Sequence, residues 1–271
     1  LAYHIKAIRP EINNNGHIII NKAVNPLFTL ADKNAVSLNL ELKNEKILLL
    51  SGPNAGGKTV VLKSLGLYAL MIQCGLFIPA KEAQFPIFTR FMADIGDRQS
   101  MEDDLSTFSA HIQNLAEIVI DADEKTLILL DELGTGTDPD AGAALSQAIL
   151  ESLLKKKSTV VATTHLGSLK VWAVDEEGIV NGGMIFDSDA LAPTYELLIG
   201  TPGASYALEI SKRMGLNDDI ITRSEELVGD GSVSLENILS KLEKERLEVE
   251  FLKQELKYRE EKLVQAETET Y

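Results

Sequence analysis

One short segment limits the possible folds of this chain more than any other feature. Residues 52–59 read G-P-N-A-G-G-K-T and directly follow the apolar run 46–51. Glycines at this spacing, between a buried strand and the start of a helix, let backbone N–H groups converge on phosphate oxygens. The pattern predicts a phosphate-binding loop for ATP, in which Lys58 contacts the β- and γ-phosphates and Thr59 ligates Mg²⁺. We expect nucleotide contacts from Gly52, Pro53, Asn54, Ala55, Gly56, Gly57, Lys58, Thr59 and Val60.

The apolar pattern of the chain predicts its fold class. Three short runs rich in Ile, Leu and Val have the composition of strands that are buried on both faces, as in a parallel sheet covered by helices. Segments with helical periodicity follow or separate them. We therefore predict an α/β fold of the P-loop type, with a mostly parallel central sheet and flanking helices. The predicted buried strands are 46–51, 126–131 and 158–164, and the predicted helices are 57–74, 107–121 and 140–156.

Changes of pattern suggest further divisions of the chain. Residues 1–45 combine Asn-rich turns with short apolar stretches, which predicts an edge hairpin or a small antiparallel sheet at the start of the ATPase domain. Residues 46–204 form the predicted nucleotide-binding core, with two more strands at 178–186 and 194–199, and residues 205–228 form a helical pair. An apolar residue every seven positions then predicts a coiled-coil helix over 233–271, with a solvated single helix as the alternative. The repeating residues are Leu235, Leu242, Val249, Leu256 and Leu263.

Two adjacent acids follow the second buried run. Asp131 stands where that strand is predicted to end and can hold the Mg²⁺ shell, and Glu132 comes directly after it. Phosphoryl transfer depends on positioning and charge neutralisation, so we expect Glu132 to polarise the attacking water. One acid after a strand is common, whereas two acids downstream of a phosphate loop favour catalysis.

His165 and Ser106 are further candidates. His165 follows the third buried run, and ligands of open α/β sheets bind at the carboxyl ends of strands, which favours a γ-phosphate contact over a structural role. His4, His17 and His111 have no such placement. Ser106 precedes a helical pattern and is predicted to be its N-cap. Plain helix capping is the local interpretation, although a helix N-terminus also binds anions.

Composition argues against several other classes of protein. The formal net charge of −15 opposes a direct electrostatic grip on nucleic acid by these residues. The one cysteine, Cys74, excludes an internal disulfide and a paired-cysteine zinc site, and it suits a reducing cytoplasm. No apolar run of 18 residues occurs and no signal peptide begins the chain, so we expect no membrane contact. Because the chain begins at Leu1, we interpret it as part of a longer protein.

Four motifs resemble those of the MutS ATPases, which belong to the ABC-like P-loop superfamily. They are the phosphate loop, L-S-T-F-S at 105–109, D-E-L-G-T-G-T-D-P at 131–139 and A-T-T-H at 162–165. The segments 75–79 and 93–100 are more similar to the second bacterial MutS branch. That branch lacks the mismatch-reading domain and usually ends in a small MutS-related (Smr) nuclease domain. The resemblance covers about residues 20–230 but departs from the family pattern at 35–38, where the adenine usually stacks.

The resemblance implies a composite site in a homodimer. Ser106 would complete the nucleotide site of the other subunit, and the loop 134–138 would lie across the same interface. ATP binding and hydrolysis would then close and open the dimer. The full-length protein would act on branched or mismatched DNA and restrain recombination, or would act on stalled ribosomes. Any endonuclease activity would reside in a domain absent from these residues.

Two alternatives remain open at the level of sequence. One is an ATP-gated dimerisation clamp with negligible turnover, in which the segment 233–271 joins the subunits. The other is an ABC-like ATPase of chromosome maintenance, in which a long coiled coil separates the halves of the site. The sequence disfavours the second alternative, because only about fifty residues separate the phosphate loop from 105–109, and that segment reads L-S-T-F-S instead of L-S-G-G.

Overall fold

The computed structural model describes most of the chain, in two units. The described residues are 2–31, 35–53, 56–96, 104–187, 190, 192–204 and 206–228, together with individual residues between 241 and 262. Unit 1 spans Leu1–Pro202 and unit 2 spans Gly203–Tyr271. The predicted nucleotide-binding residues all belong to unit 1.

Unit 1 is built around a six-stranded sheet. The strands of unit 1, which belong to this sheet or to a second, smaller one, are β1 (Glu11–Asn13), β2 (Ile18–Ala23), β3 (Leu38–Leu42), β4 (Ile47–Ser51), β5 (Glu82–Pro86), β6 (Arg90–Asp94), β7 (Thr126–Leu130), β8 (Thr159–Thr163), β9 (Ile179–Asp187) and β10 (Ala192–Ile199). Its helices are α1 (Pro26–Leu30), α2 (Lys58–Gln73), α3 (Asp104–Asp121), α4 (Pro139–Lys155) and α5 (Gly167–Asp175). The large sheet has the order β10-β9-β4-β8-β7-β6, and only the β9–β10 pair is antiparallel. The predicted fold class, an α/β fold with a mostly parallel sheet, is confirmed.

The central strands lie between two apolar layers. Every residue of β4, β7 and β8 is buried. Leu48 and Leu50 join one core cluster with residues of α2 and the small sheet, whereas Ile47 and Leu49 join another with residues of α3, α4 and α5. Side chains that alternate between two covered faces explain why these runs are continuously apolar. Because β4, β8 and β7 are neighbouring parallel strands, their carboxyl ends lie together at one edge of the sheet, which we call the carboxyl edge.

A second, four-stranded sheet has the order β1-β5-β2-β3. β2 is antiparallel to both β3 and β5, and β1 is parallel to β5. The predicted small antiparallel sheet is therefore present in its main part. A local hairpin between β1 and β2 does not form, because β5, which comes from beyond α2, lies between them.

Some elements differ from the prediction or were missed. The strand β6 was not predicted, since it lies at the sheet edge and none of its residues is fully buried. The nine-residue helix α5 was not predicted either. The helix α3 begins at Asp104, so Ser106 lies in its first turn, and the prediction that Ser106 is the N-cap was wrong.

Unit 2 begins with two helices, α6 (Ala207–Arg213) and α7 (Asp218–Val228), which contact each other. The individual described residues between 241 and 262 are helical. Leu242 and Val249 of the predicted seven-residue repeat are each 48% exposed and Leu256 is 59% exposed, while Leu235 and Leu263 lie outside the described residues. Within the described part of the chain, no helix is both long and apolar enough to cross a membrane.

Candidate active site

The predicted phosphate-binding loop connects β4 to α2. Gly52 and Gly57 have φ angles of 124° and 94°, which residues with side chains rarely adopt. Gly57 is the N-cap of α2, and no described side chain caps this helix end. The first N–H groups of α2 can therefore point at an anion. Asn54 and Ala55 lie outside the described residues, and Val60 is a partly exposed residue in the first turn of α2.

Lys58 turns its ammonium group back into this loop. Nζ donates hydrogen bonds to the carbonyl oxygens of Gly52 (2.7 Å) and Pro53 (3.0 Å), and the residue is only 4% exposed. Burial removes water from the ammonium group and lowers the pKa of Lys58 to about 8, although the negative charges of Glu132 and Asp131 act to raise it. A nearby triphosphate would favour the charged form and would raise this pKa.

Thr59 and Asp131 lie together although they are far apart in the sequence. Thr59 Oγ1 donates a hydrogen bond to Asp131 Oδ1 at 3.3 Å. Thr163, the last residue of β8, donates to the same oxygen at 2.7 Å and accepts the backbone N–H of Glu132 at 2.8 Å. Because β8 lies between β4 and β7, its end orients both acids that follow β7.

The donor set of Thr59 and Asp131 fits a magnesium ion that substrate phosphates help to hold. Mg²⁺ prefers oxygen ligands and is commonly bound by one or two carboxylates together with phosphate oxygens and water. Among the described residues, no three His, Cys, Asp or Glu side chains form a complete metal-binding cluster. A hydroxyl and a single carboxylate are the protein ligands expected of a shared site.

Glu132 and His165 face each other across the same edge of the sheet. Glu132 has a φ of 54°, which is uncommon for a residue other than glycine. Its Oε1 lies 3.8 Å from His165 Nε2, and both side chains are partly exposed. Burial and the charge of Lys58 lower the pKa of His165, against the opposite effect of Glu132. The imidazole is therefore mainly neutral at pH 7 and can exchange hydrogen bonds with a phosphate or with water.

A second lysine lies near this group, although no motif marked it. Lys170 of α5 is 3% exposed, and its charge contributes to the lowered pKa of both Lys58 and His165. Its carbonyl oxygen accepts a hydrogen bond from Asn181 Nδ2 at 3.0 Å, which fixes α5 to β9. The carboxyl edge of the sheet thus carries more positive charge than the motifs predicted.

Tyr195 is another residue that the motifs did not mark. Its ring atom Cδ1 lies 3.3 Å from the position that a Cβ on Gly57 would occupy. It is 52% exposed and has a φ of 61°, in a part of β10 where the pairing register with β9 shifts. An accessible aromatic ring therefore stands beside the phosphate loop.

The structure brings most of the predicted site residues together. Lys58, Thr59, Asp131, Glu132 and His165 lie at the carboxyl edge of the large sheet, linked by the contacts given above. Ser106 belongs to the first turn of α3, and its side chain is outside what the structure describes.

A loop after one strand and acids after a nearby strand meet at a single sheet edge in P-loop nucleotide-binding domains, and unit 1 has this arrangement. Comparison with known proteins then identifies the family. The profile of MutS domain V matches residues 48–230. The chain therefore belongs to the MutS family, as its motifs predicted, and carries the ATP-binding domain of that family.

Three relatives indicate the branch within the family. Endonuclease MutS2 of Ruminiclostridium cellulolyticum is 48% identical over 253 residues, which are 92% of this chain and 32% of that protein. Endonuclease MutS2 of Thermus thermophilus is 48% identical over 239 residues, 88% of this chain and 30% of that protein. The protein of the same name from Enterococcus faecalis is 45% identical over 256 residues, 93% of this chain and 32% of that protein. The predicted second branch is confirmed, and the chain spans about a third of the length of these relatives.

Proposed function

We propose that this chain is an ATPase that binds MgATP at the carboxyl edge of the large sheet in unit 1. The chain would hydrolyse the nucleotide at a site completed by a second copy of the chain. One observation carries the proposal: Lys58, the Thr59–Asp131 pair and the Glu132–His165 pair converge at one edge of the sheet. These are the cation, the metal ligands and the water-orienting groups that phosphoryl transfer needs.

The phosphate loop supplies the binding step. Backbone N–H groups of residues 52–59 and the N-terminus of α2 would contact the phosphates. Lys58 would exchange its two carbonyl partners for β- and γ-phosphate oxygens, and the phosphate charge would keep its ammonium form. Thr59 and Asp131 would hold Mg²⁺, which supplies positive charge to the phosphate oxygens during transfer.

Glu132 and His165 supply the hydrolytic step. Glu132 would orient the attacking water and draw its proton as the water oxygen bonds to the γ-phosphorus. The bond between the γ-phosphorus and the bridging oxygen then breaks, which releases ADP. His165, 3.8 Å from Glu132, would hold a γ-phosphate oxygen by a hydrogen bond.

We propose that Tyr195 holds the base of the nucleotide. The ring is accessible and lies against Gly57, the last loop residue before α2, where we expect the triphosphate to bind. Stacking on an aromatic ring suits any base, so this contact would strengthen binding without selecting adenine.

The subunits would pair through the ATPase domain. Ser106 and the loop 134–138 would contact the nucleotide held by the other subunit, and hydrolysis would open the pair. Closure driven by ATP and opening driven by hydrolysis convert the chemical cycle into a conformational one.

For the longer protein we propose a substrate of branched or mismatched DNA, on which it restrains recombination, with stalled ribosomes as the second candidate. The chain's net charge of −15 supports contact with nucleic acid through other parts of that protein. The relatives are named endonucleases. We propose that any such activity resides outside these 271 residues.

Substitution of Glu132 tests the proposal. In Glu132→Gln, steady-state phosphate release should fall about 100-fold or more, because the base is lost, while ATP affinity stays within about threefold. Glu124→Gln, an exposed change at the opposite end of β7, should leave both unchanged. Lys58→Ala should abolish measurable ATP binding.

Each alternative has its own outcome. Wild-type turnover in Glu132→Gln would show that Glu132 is not the base. Unchanged ATP affinity in Lys58→Ala would overturn the phosphate-loop assignment. ATP binding and dimerisation by the wild-type chain with negligible phosphate release would identify the ATP-gated clamp instead.

A further inference from the structure

The end of β6 is joined to the backbone of the predicted magnesium ligand. Asp94 is the last residue of β6, and it pairs in register with Leu130 of β7. Its carbonyl oxygen accepts the backbone N–H of Asp131 at 2.8 Å. The position of Asp131 is therefore tied to that of Asp94.

Two residues of α3 contact the carboxylate of Asp94. His111 Nδ1 contacts Asp94 Oδ2, and Asn114 Nδ2 donates a hydrogen bond to Asp94 Oδ1 at 2.9 Å. His111 and Asn114 are three residues apart and share one face of the helix. His111 Nε2 is buried and has no hydrogen-bond partner among the described residues, so the contact with Asp94 is the polar contact described for this ring. We call Asp94, His111 and Asn114 the Asp94 fork.

Other contacts already anchor the distal half of α3. Leu115 and Ile118 are buried in the core. Lys156 Nζ donates hydrogen bonds to the carbonyl oxygens of Ile120 (2.8 Å) and Ala122 (3.2 Å) at the end of the helix. His111 precedes these anchors along α3, so its contact with Asp94 constrains the helix closer to the first turn.

The first turn of α3 contains Ser106. It precedes His111 by five residues, roughly 7 Å along the helix axis at the usual rise per residue. Under the proposed function, this turn enters the nucleotide site of the other subunit. Asp94 therefore contacts both the backbone of Asp131, the proposed metal ligand of its own site, and α3, the helix proposed to reach the site of the other subunit.

We propose that Asp94, His111 and Asn114 are positioning residues that couple the nucleotide site of one subunit to the placement of Ser106 in the site of the other. A shift of Asp131 when the chain's own site binds ATP is passed through Asp94 to His111 and Asn114, and from there to the first turn of α3. This inference rests on the proposed composite ATPase. A purely structural role for the same contacts predicts only a loss of stability.

Substitutions of His111 in the full 271-residue chain test the coupling. In His111→Leu, ATP affinity at low protein concentration should stay within about twofold, while phosphate release at saturating ATP falls about tenfold. ATP-driven dimerisation, followed by light scattering in the Glu132→Gln background, should weaken by a similar factor. His111→Asn should recover most of both, because Asn Nδ2 can occupy the position of the imidazole Nδ1.

Lys156→Met is the matched control, because it removes a polar anchor from the opposite end of the same helix. It should lower the melting temperature and leave turnover within about twofold of wild type. The inference is overturned if His111→Leu dimerises and turns over like wild type, or if it loses ATP binding and turnover in parallel. A Glu132→Gln chain with intact His111 that stays monomeric with MgATP would overturn the composite site itself, and the inference with it.

Discussion

Burial determines what single side chains at this site can do. The motif identified Lys58, but the lowered pKa depends on the burial of its ammonium group in the folded loop. Tyr195 shows the converse case, since nothing in its local sequence indicates that its ring lies against Gly57. Local sequence therefore predicted the identity of the cation but neither its proton affinity nor the ring beside it.

The pKa of Lys58 predicts a pH dependence of ATP binding. A triphosphate stabilises the ammonium form, so the pKa in the complex is higher than the value of about 8 in the free chain. Affinity should be maximal where the free lysine is charged, and it should fall as pH rises through 8, by up to about tenfold per unit. Calorimetry in buffers of different ionisation enthalpy should detect proton uptake on binding near pH 8. Lys63→Ala, which removes an exposed lysine of α2, should keep the same profile. A flat profile between pH 7.5 and 9.5 would contradict the prediction.

Removing the ring of Tyr195 should weaken nucleotide binding selectively. In Tyr195→Ala we expect ATP affinity to fall by about 5- to 100-fold, which corresponds to the loss of one base stack. Affinity for inorganic triphosphate, which has no base, should be unchanged, and Tyr195→Phe should bind ATP like wild type. Equal losses for ATP and triphosphate would instead indicate a collapsed loop.

The turn between β7 and α4 is tightly packed against the helix that follows it. A Cβ on Gly142 of α4 would lie 2.3 Å from the carbonyl oxygen of Gly134, and Gly134 itself has a φ of 87°. Asp138 caps α4 by accepting the N–H groups of Asp140 and Ala141. The turn that carries Glu132 is therefore fixed by backbone contacts with the helix that follows it.

Gly142→Ala should disturb this turn. The added methyl group meets a backbone carbonyl that cannot rotate away, so we expect a loss of about 1–3 kcal/mol in the free energy of unfolding. The displaced turn carries Glu132, so phosphate release should fall as well. Gly167→Ala is the control, since a Cβ there meets no atom within 4 Å, and it should be neutral or stabilise by up to about 1 kcal/mol. Urea unfolding and a phosphate-release assay measure both effects, and wild-type behaviour of Gly142→Ala would contradict the prediction.

At the scale of the whole molecule, the proposed catalytic residues of one chain come from unit 1, and the remaining contacts would come from a second chain. Unit 2 adds α6, α7 and a helical segment in which Leu242 and Val249 are about half exposed. Two routes to self-association follow, through the ATPase domain or through the helical segment. We expect only the first route to depend on nucleotide.

The two routes can be separated by light scattering. Glu132→Gln should double its mass on addition of ATP and Mg²⁺, because the triphosphate bridges two ATPase domains. The same chain carrying Leu242→Asp and Val249→Asp should still dimerise with ATP, since these residues lie in the helical segment. Loss of ATP-driven dimerisation only in the aspartate variant would assign pairing to that segment.

The sequence by itself determined several features that runs of contiguous residues specify. The phosphate loop, the buried strands β4, β7 and β8 and the paired acids at 131 and 132 are local patterns, and a strand covered on both faces must be apolar throughout. Only the tertiary structure decided the insertion of β5 between β1 and β2, the edge position of β6 and the meeting of Asp94 with His111. Those features join segments that are distant along the chain, and an edge strand or a polar contact between helix and strand needs no periodic pattern. Pairing and packing across the folded chain select them.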